Sequence, residues 1–277
     1  MTKTLSLGIS PCPNDTFIFY ALLHQLVDCG HLNFEPHIHD VETLNQEAKK
    51  GDLDITKLSI AAFGQVRNSY RLLSSGAALG RGCGPLLVAR KDKSLDDLAK
   101  GEIAVPGKWT TANLLLGLYL QSPLAVHALP FEQIMPEVQA GAYDYGVIIH
   151  EGRFTYPNYD LQCLLDLGKW WEEKTELPIP LGGIAISREH EDTTARMVER
   201  YIRESLRYAY KYPYAPQEFI RKNAQELSSE VIDQHIRLYV NEFTMELGRE
   251  GKEAILRLLA LAEEADLIPK SRVQPFV

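Results

Sequence analysis

The sequence predicts an α/β protein built as two lobes. Three observations carry the expectation. Strand and helix patterns alternate over about the first 190 residues, helices alone follow, and one unit of strand, polar turn and helix occurs at residues 5–23 and again at 102–120. Alternation of this kind implies an α/β fold. A unit repeated at a distance is what two similar lobes facing one another require, and the terminal helices are expected to return and brace the first lobe.

In the first unit Leu5, Leu7 and Ile9 alternate with Ser6 and Gly8, a half-buried strand that must stop at Pro11 and Pro13. Asn14 or Asp15 is expected to cap a helix beginning at Thr16. A turn before a helix start offers unpaired N–H groups to an anion, and the density of Ser, Pro, Asn, Asp and Thr here marks a functional loop. A second strand is expected at 32–38, then a helix at 40–50 opened by Asp40 with Glu42 in its first turn. A short strand delivers Thr56, Lys57, Leu58 and Ser59 to a helix at 60–66, with Lys57 and Ser59 as donors for an acidic ligand.

The glycine-rich run at 79–85 leads into a strand at 86–89. Its glycines have neither the spacing nor the setting of a nucleotide fingerprint. A short capped helix starts at Ser94, a strand lies at 102–105, and the turn at 106–111 brings Thr110 and Thr111 to an apolar helix at 112–120. A strand at 126–129 and a helix at 134–140 lead to a buried strand at 147–149. Trp170 and Trp171 read as packing, and a strand at 182–186 matches 86–89 as a pair crossing between lobes. Beyond Asp192, Met197, Tyr201, Ile202, Leu206 and Ala209 recur every three to four residues; Pro213 and Pro216 end that run. Helices at 217–225 and 229–239, a polar link at 241–247 and an amphipathic helix at 250–265 complete the chain.

A net charge of −8, from 29 basic and 37 acidic residues, argues against a nucleic-acid surface built on bulk positive potential. The start of the chain has no export pattern, and no apolar run reaches the ~20 residues that span a bilayer. The expected location is the cytoplasm, away from membranes. Cys12, Cys29, Cys83 and Cys163 are widely spaced, which suggests neither a zinc site nor a disulfide framework. An aromatic-rich surface is compatible with a homodimer.

Residues 145–156 are the stretch around which the chain is organised. The apolar strand ends abruptly at His150, followed by Glu151, Gly152 and Arg153. Ligands of open α/β sheets collect at the carboxyl ends of strands, and an imidazole suits proton abstraction near neutral pH. A histidine that merely ends the strand and bonds a neighbouring carbonyl fits the same pattern.

Six segments carry a specific resemblance: Ser-Pro-Cys-Pro-Asn-Asp-Thr-Phe from Ser10, Asp-Val-Glu-Thr-Leu-Asn from Asp40, Thr-Lys-Leu-Ser from Thr56, Gly-Arg-Gly-Cys-Gly-Pro from Gly80, Val-Pro-Gly-Lys-Trp-Thr-Thr from Val105, and Ile-His-Glu-Gly-Arg-Phe-Thr-Tyr from Ile149. Together they resemble the 1,4-dihydroxy-6-naphthoate synthases of the futalosine route to menaquinone, in order and from Leu5 to the end of the chain. The resemblance implies a periplasmic-binding-protein-like fold of type II, with lobe 1 from residues 1–88 and 188–277, lobe 2 from 89–187, and a substrate cleft between them. It implies conversion of cyclic dehypoxanthinyl futalosine to 1,4-dihydroxy-6-naphthoate with loss of a small sugar-derived fragment, by a carbon–carbon lyase that uses no cofactor or metal.

By the same resemblance His150 is the proton acceptor, and Lys57, Leu58, Ser59, Thr110 and Thr111 bind the substrate, a small aromatic carboxylate. Asn14, Asp15 and Thr16 join them from the first loop. Lys57, Arg153 and Arg81 compete for the carboxylate. Two other functions fit the architecture: a non-catalytic binding protein for a small carboxylate, and the chorismate dehydratase of the same pathway. The missing export pattern speaks against the first, and the Pro-Cys-Pro-Asn-Asp loop with His150 against the second.

Overall fold

The computed structural model describes residues 2–121, 125–224 and 228–277. Strand β1 (Lys3–Ile9), α1 (Pro13–Leu23), β2 (Leu32–Ile38), α2 (Val41–Lys50), β3 (Ile55–Ser59) and α3 (Ile60–Val66) open the chain. Short strands β4 (Tyr70–Leu72) and β5 (Ala78–Gly80) precede β6 (Leu86–Arg90), a 3-10 turn (Leu95–Lys100), β7 (Ile103–Val105) and α4 (Thr111–Leu120). Next come β8 (Val126–Ala128), α5 (Phe131–Ala140), β9 (Tyr145–Ile148), α6 (Gly152–Thr155), β10 (Leu161–Asp166), α7 (Leu167–Thr175) and β11 (Ile179–Ser187). The chain ends in α8 (Asp192–Lys211), α9 (Gln217–Asn223), α10 (Ser229–Tyr239), α11 (Glu242–Met245) and α12 (Gly248–Glu264).

These strands form two sheets. The first runs β2-β1-β3-β11-β4 with β5 also on β11; β1 is parallel to β2 and β3, whereas β11 is antiparallel to its neighbours. The second runs β10-β6-β9-β7-β8, with β7 parallel to β8 and β9 and β6 antiparallel to β9 and β10. The expected crossing strands are β6, in the second sheet, and β11, in the first. The links between sheets are residues 81–85 and 176–178, tied together where Arg81 donates to the Glu176 carbonyl at 3.0 Å.

Strands buried on both faces explain the continuous apolar runs that the sequence shows. Leu87 and Ala89 of β6 point into a core shared with α3, α4 and α12, while Val88 faces Ile134 and Val138 of α5. The returning helices brace the first sheet as expected: the Ser205 hydroxyl of α8 accepts from Leu22 N at 3.1 Å and donates to the Ile18 carbonyl at 2.6 Å.

The structure departs from the sequence reading at four points. Asn14 and Asp15 do not cap α1, which begins at Pro13 with Cys12 in the capping position and no side-chain cap, because the fixed φ of proline pre-sets the first turn. The edge strand β10 was not foreseen; a bulge between Cys163 and Leu165 breaks the alternation that reveals a strand. The link at 241–247 holds the turn of α11, closed by a capping box in which Asn241 accepts from Phe243 N and donates its own N–H to Thr244 Oγ1. The expected helix at 217–225 ends at Asn223; Gln225 lies outside the described residues.

Candidate active site

The carboxyl ends of β1, β3 and β9, the start of α4, part of β11 and the inner face of α10 surround a partly open cavity lined by Ser10, Asn14, Lys57, Ser59, Thr110, Thr111, His150 and His235, among others. It lies where strand ends of the two sheets meet, the place that open α/β sheets give to ligands.

His150 follows β9 with φ 54°, a left-handed conformation that costs a non-glycine residue about 1 kcal/mol or more and turns its half-buried ring into the cavity. Burial lowers its pKa from 6.5 to about 4, with Asp15 opposing and Lys57 reinforcing the shift, so the ring is neutral at physiological pH. Phe131 meets it edge to face at 5.0 Å, and Cys12 Sγ lies 3.2 Å from Nδ1 and 3.9 Å from Nε2. Burial, followed by the nearby Glu151 charge, pushes the Cys12 thiol well up, so it stays a neutral thiol and is no nucleophile.

Beneath the ring lies a buried ion pair. Asp15, wholly buried, accepts from Lys57 Nζ at 2.6 Å, Asn14 Nδ2 at 2.8 Å, Ser10 Oγ at 2.7 Å and Ser10 N at 3.1 Å. Four donors on one carboxylate repay its desolvation and leave Lys57, 5% exposed, with two ammonium protons for a ligand. Ser59 is held by Asn45, whose Oδ1 accepts from Ser59 N at 3.0 Å and whose Nδ2 donates to Ser59 Oγ at 3.2 Å; the Ser59 hydroxyl proton is left for the cavity. Thr110 caps α4 by accepting from Asn113 N at 3.3 Å and gives its own proton to the Gly107 carbonyl at 2.8 Å. The Thr111 hydroxyl donates to the Leu181 carbonyl at 2.6 Å and accepts from Ala61 N at 3.3 Å, joining α4 to β11 and α3.

The other expected residues lie elsewhere. The Leu58 side chain belongs to the core on the opposite face of β3, as the two-residue period of a strand requires. Thr16 is fully buried and returns its hydroxyl to the Cys12 carbonyl at 3.0 Å. Arg153 pairs with Asp166 at 2.6 Å and donates to the Gly84 carbonyl at 3.1 Å, outside the cavity lining. Arg81 is exposed and pairs with Glu250 at 2.7 Å. Among the described residues, Lys57 is the cation lining the cavity, and no group of three or more His, Cys, Asp or Glu side chains is placed to hold a metal ion. No described helix is long and apolar enough to cross a membrane.

Sequence reasoning did not single out His235 and Tyr239, which α10 brings to the cavity, or Asn45 behind Ser59. His235 shares its helix face with Ile232 and Tyr239, three residues before and four after, so it reads as an ordinary core position.

A family described as Menaquinone biosynthesis matches residues 5–264. A 1,4-dihydroxy-6-naphthoate synthase of Thermus thermophilus is 48% identical over 275 residues, covering 99% of this chain and 100% of that protein. One of Streptomyces coelicolor is 42% identical over 271 residues, covering 96% and 95%. Among solved structures, an Archaeoglobus fulgidus protein is 36% identical with a TM-score of 0.90, covering 96% of this chain and 98% of that one. A Candida albicans protein described as having the generic periplasmic binding protein fold shares 15% identity with a TM-score of 0.68, covering 97% and 92%. The last likeness establishes a periplasmic-binding-protein-like fold, and the others reach further: the chain belongs to the menaquinone biosynthesis family, alongside these naphthoate synthases.

Proposed function

We propose that this chain is a 1,4-dihydroxy-6-naphthoate synthase, a cytoplasmic carbon–carbon lyase that converts cyclic dehypoxanthinyl futalosine to 1,4-dihydroxy-6-naphthoate with loss of a small sugar-derived fragment. The observation that carries the reading is a neutral imidazole, His150, facing a mostly apolar cavity beside the buried ammonium of Lys57. In this reading His150 takes a proton from a hydroxyl placed β to a carbonyl. The oxygen electrons form a new C=O, the adjacent C–C bond breaks, and its electron pair becomes an enolate that protonation and aromatisation of the ring consume. A positioned general base contributes roughly 10²- to 10⁴-fold to such a step.

Lys57, with Ser59 and the amino terminus of α4 at Thr110 and Thr111, is the seat for the substrate carboxylate. The incoming negative charge offsets Lys57, one of the causes that lower the His150 pKa, and so makes the imidazole a stronger base once substrate is bound. The two sheets correspond to two lobes with the cleft at this cavity. That β6 belongs wholly to the second sheet and β11 wholly to the first supports boundaries in the links at 81–85 and 176–178, the first a few residues and the second about ten residues before those expected.

The test is to incubate the purified protein with cyclic dehypoxanthinyl futalosine and follow the dihydroxynaphthoate by absorbance and mass. Product formation is expected. Saturable binding without product would replace the reading with that of a carboxylate-binding protein.

A further inference from the structure

The cavity holds a second imidazole whose protonation pattern the surrounding hydrogen bonds fix. Asp15 only accepts, so Asn14 must turn its Nδ2 toward it, at 2.8 Å, and its Oδ1 toward His235 Nε2, at 2.9 Å. His235 Nε2 therefore carries a proton. The ring is 1% exposed, and burial together with the neighbouring His150 and Lys57 lowers its pKa well below 6.5. A neutral ring protonated at Nε2 has a bare lone pair on Nδ1. That atom is buried and has no hydrogen-bond partner among the described residues; a Glu151 carboxylate oxygen is 4.0 Å away, beyond bonding distance. A buried acceptor left unpaired is costly, and native structures rarely keep one without a role. His150 and His235 line the same cavity, with their ring centroids 6.1 Å apart.

We propose that His235 is a substrate-binding residue whose Nδ1 accepts a hydrogen bond from an alcohol or enol O–H of the ligand bound against His150. The proposal rests on the catalytic reading of the cavity and adds a selectivity to it. A site built around a buried acceptor rejects analogues that lack the matching hydroxyl, because the acceptor then stays unpaired.

Two substitutions separate the ring's two nitrogens. H235Q retains a donor near the Nε2 position for Asn14 and loses the Nδ1 acceptor, whereas H235N keeps an acceptor near Nδ1 and loses the donor. With cyclic dehypoxanthinyl futalosine, H235Q is expected to raise KM at least tenfold, and H235N to recover most of that loss, both at near-native Tm. In parallel, 15N NMR of the folded protein should show His235 protonated at Nε2 alone, with the Nδ1 resonance moving on addition of the dihydroxynaphthoate. Equal KM for the two variants, or an Nδ1 resonance indifferent to ligand while the wild type turns over, overturns the proposal and leaves the catalytic reading standing. Failure of the wild type to turn over removes both.

Discussion

At the scale of single residues, two charges buried under the cavity decide what its imidazole can do. Lys57 and Asp15 are 5% and 0% exposed, and a pair this deep is tolerated because three further hydrogen bonds from two residues complete the carboxylate. Removing one partner strands the other, so Asp15→Ala should cost about 3–5 kcal/mol of stability, measured by denaturant unfolding. A loss under about 1 kcal/mol would show that the ammonium finds water.

His150 gives a pH dependence with a definite sign. Its pKa is about 4 when folded and 6.5 when unfolded, so above 6.5 neither state binds a proton and stability is indifferent to it. As pH falls from 6.5 toward 4 the unfolded chain gains the proton first, which destabilises the fold by about 2 kcal/mol at pH 5. His150→Asn should remove that part of the acid sensitivity, seen as a smaller drop in Tm between pH 7 and 5 than in the wild type. The free-enzyme limb of kcat/KM should likewise lie near the lowered value, with a flat profile through neutral pH. A limb near 6.5 would mean that the ring is hydrated.

Among the elements, the turn before α4 ties the second sheet to α2 of the first. Glu42 accepts from Trp109 N at 3.3 Å and from Gln46 Nε2 at 2.9 Å, while Lys49 lies 4.9 Å over the Trp109 ring. Burial outweighs these donors and raises the Glu42 pKa. Gly107 makes the approach feasible: its φ is +145°, and a Cβ there would stand 2.5 Å from the Glu42 carboxyl carbon. Gly107→Ala should cost about 1–3 kcal/mol and raise KM, because the turn that presents Thr110 and Thr111 shifts with it. Unchanged denaturant midpoint and KM would show that the turn yields freely.

This scale also shows what the sequence made legible. Asp40 announced its helix because an N-cap is a local signal, and it accepts from Glu42 N and Thr43 N as that signal implies. Lys57, Ser59, Thr110, Thr111 and His150 stood at strand ends and helix starts, where topology sends side chains to a common cavity. Leu58 was placed with them although β3 continues through it and turns it inward. His235 was invisible for the opposite reason: its partner Asn14 is 221 residues away, and no local pattern marks a contact made only by tertiary folding.

For the whole molecule, one core runs without a break from the first sheet into the second, from Leu58 and Phe63 through Leu115 to Val147 and Trp171. The terminal residues close it. Leu72 N donates to the Pro275 carbonyl at 2.7 Å, Val277 N donates to the Leu72 carbonyl at 3.1 Å, and Phe276 is 8% exposed. Removing residues 275–277 should therefore lower stability by about 2–4 kcal/mol, from one buried aromatic side chain and two backbone hydrogen bonds. An unchanged Tm would contradict the closure.

The proposed chemistry requires that the neutral ring of His150 is the group that takes the proton. Single-turnover conversion of cyclic dehypoxanthinyl futalosine by His150→Ala, at saturating enzyme and with folding verified, measures this most directly. A rate lower by roughly 10²- to 10⁴-fold with substrate affinity within a few-fold of wild type is the predicted result. A rate within threefold of wild type would contradict it and assign the chemistry to another group.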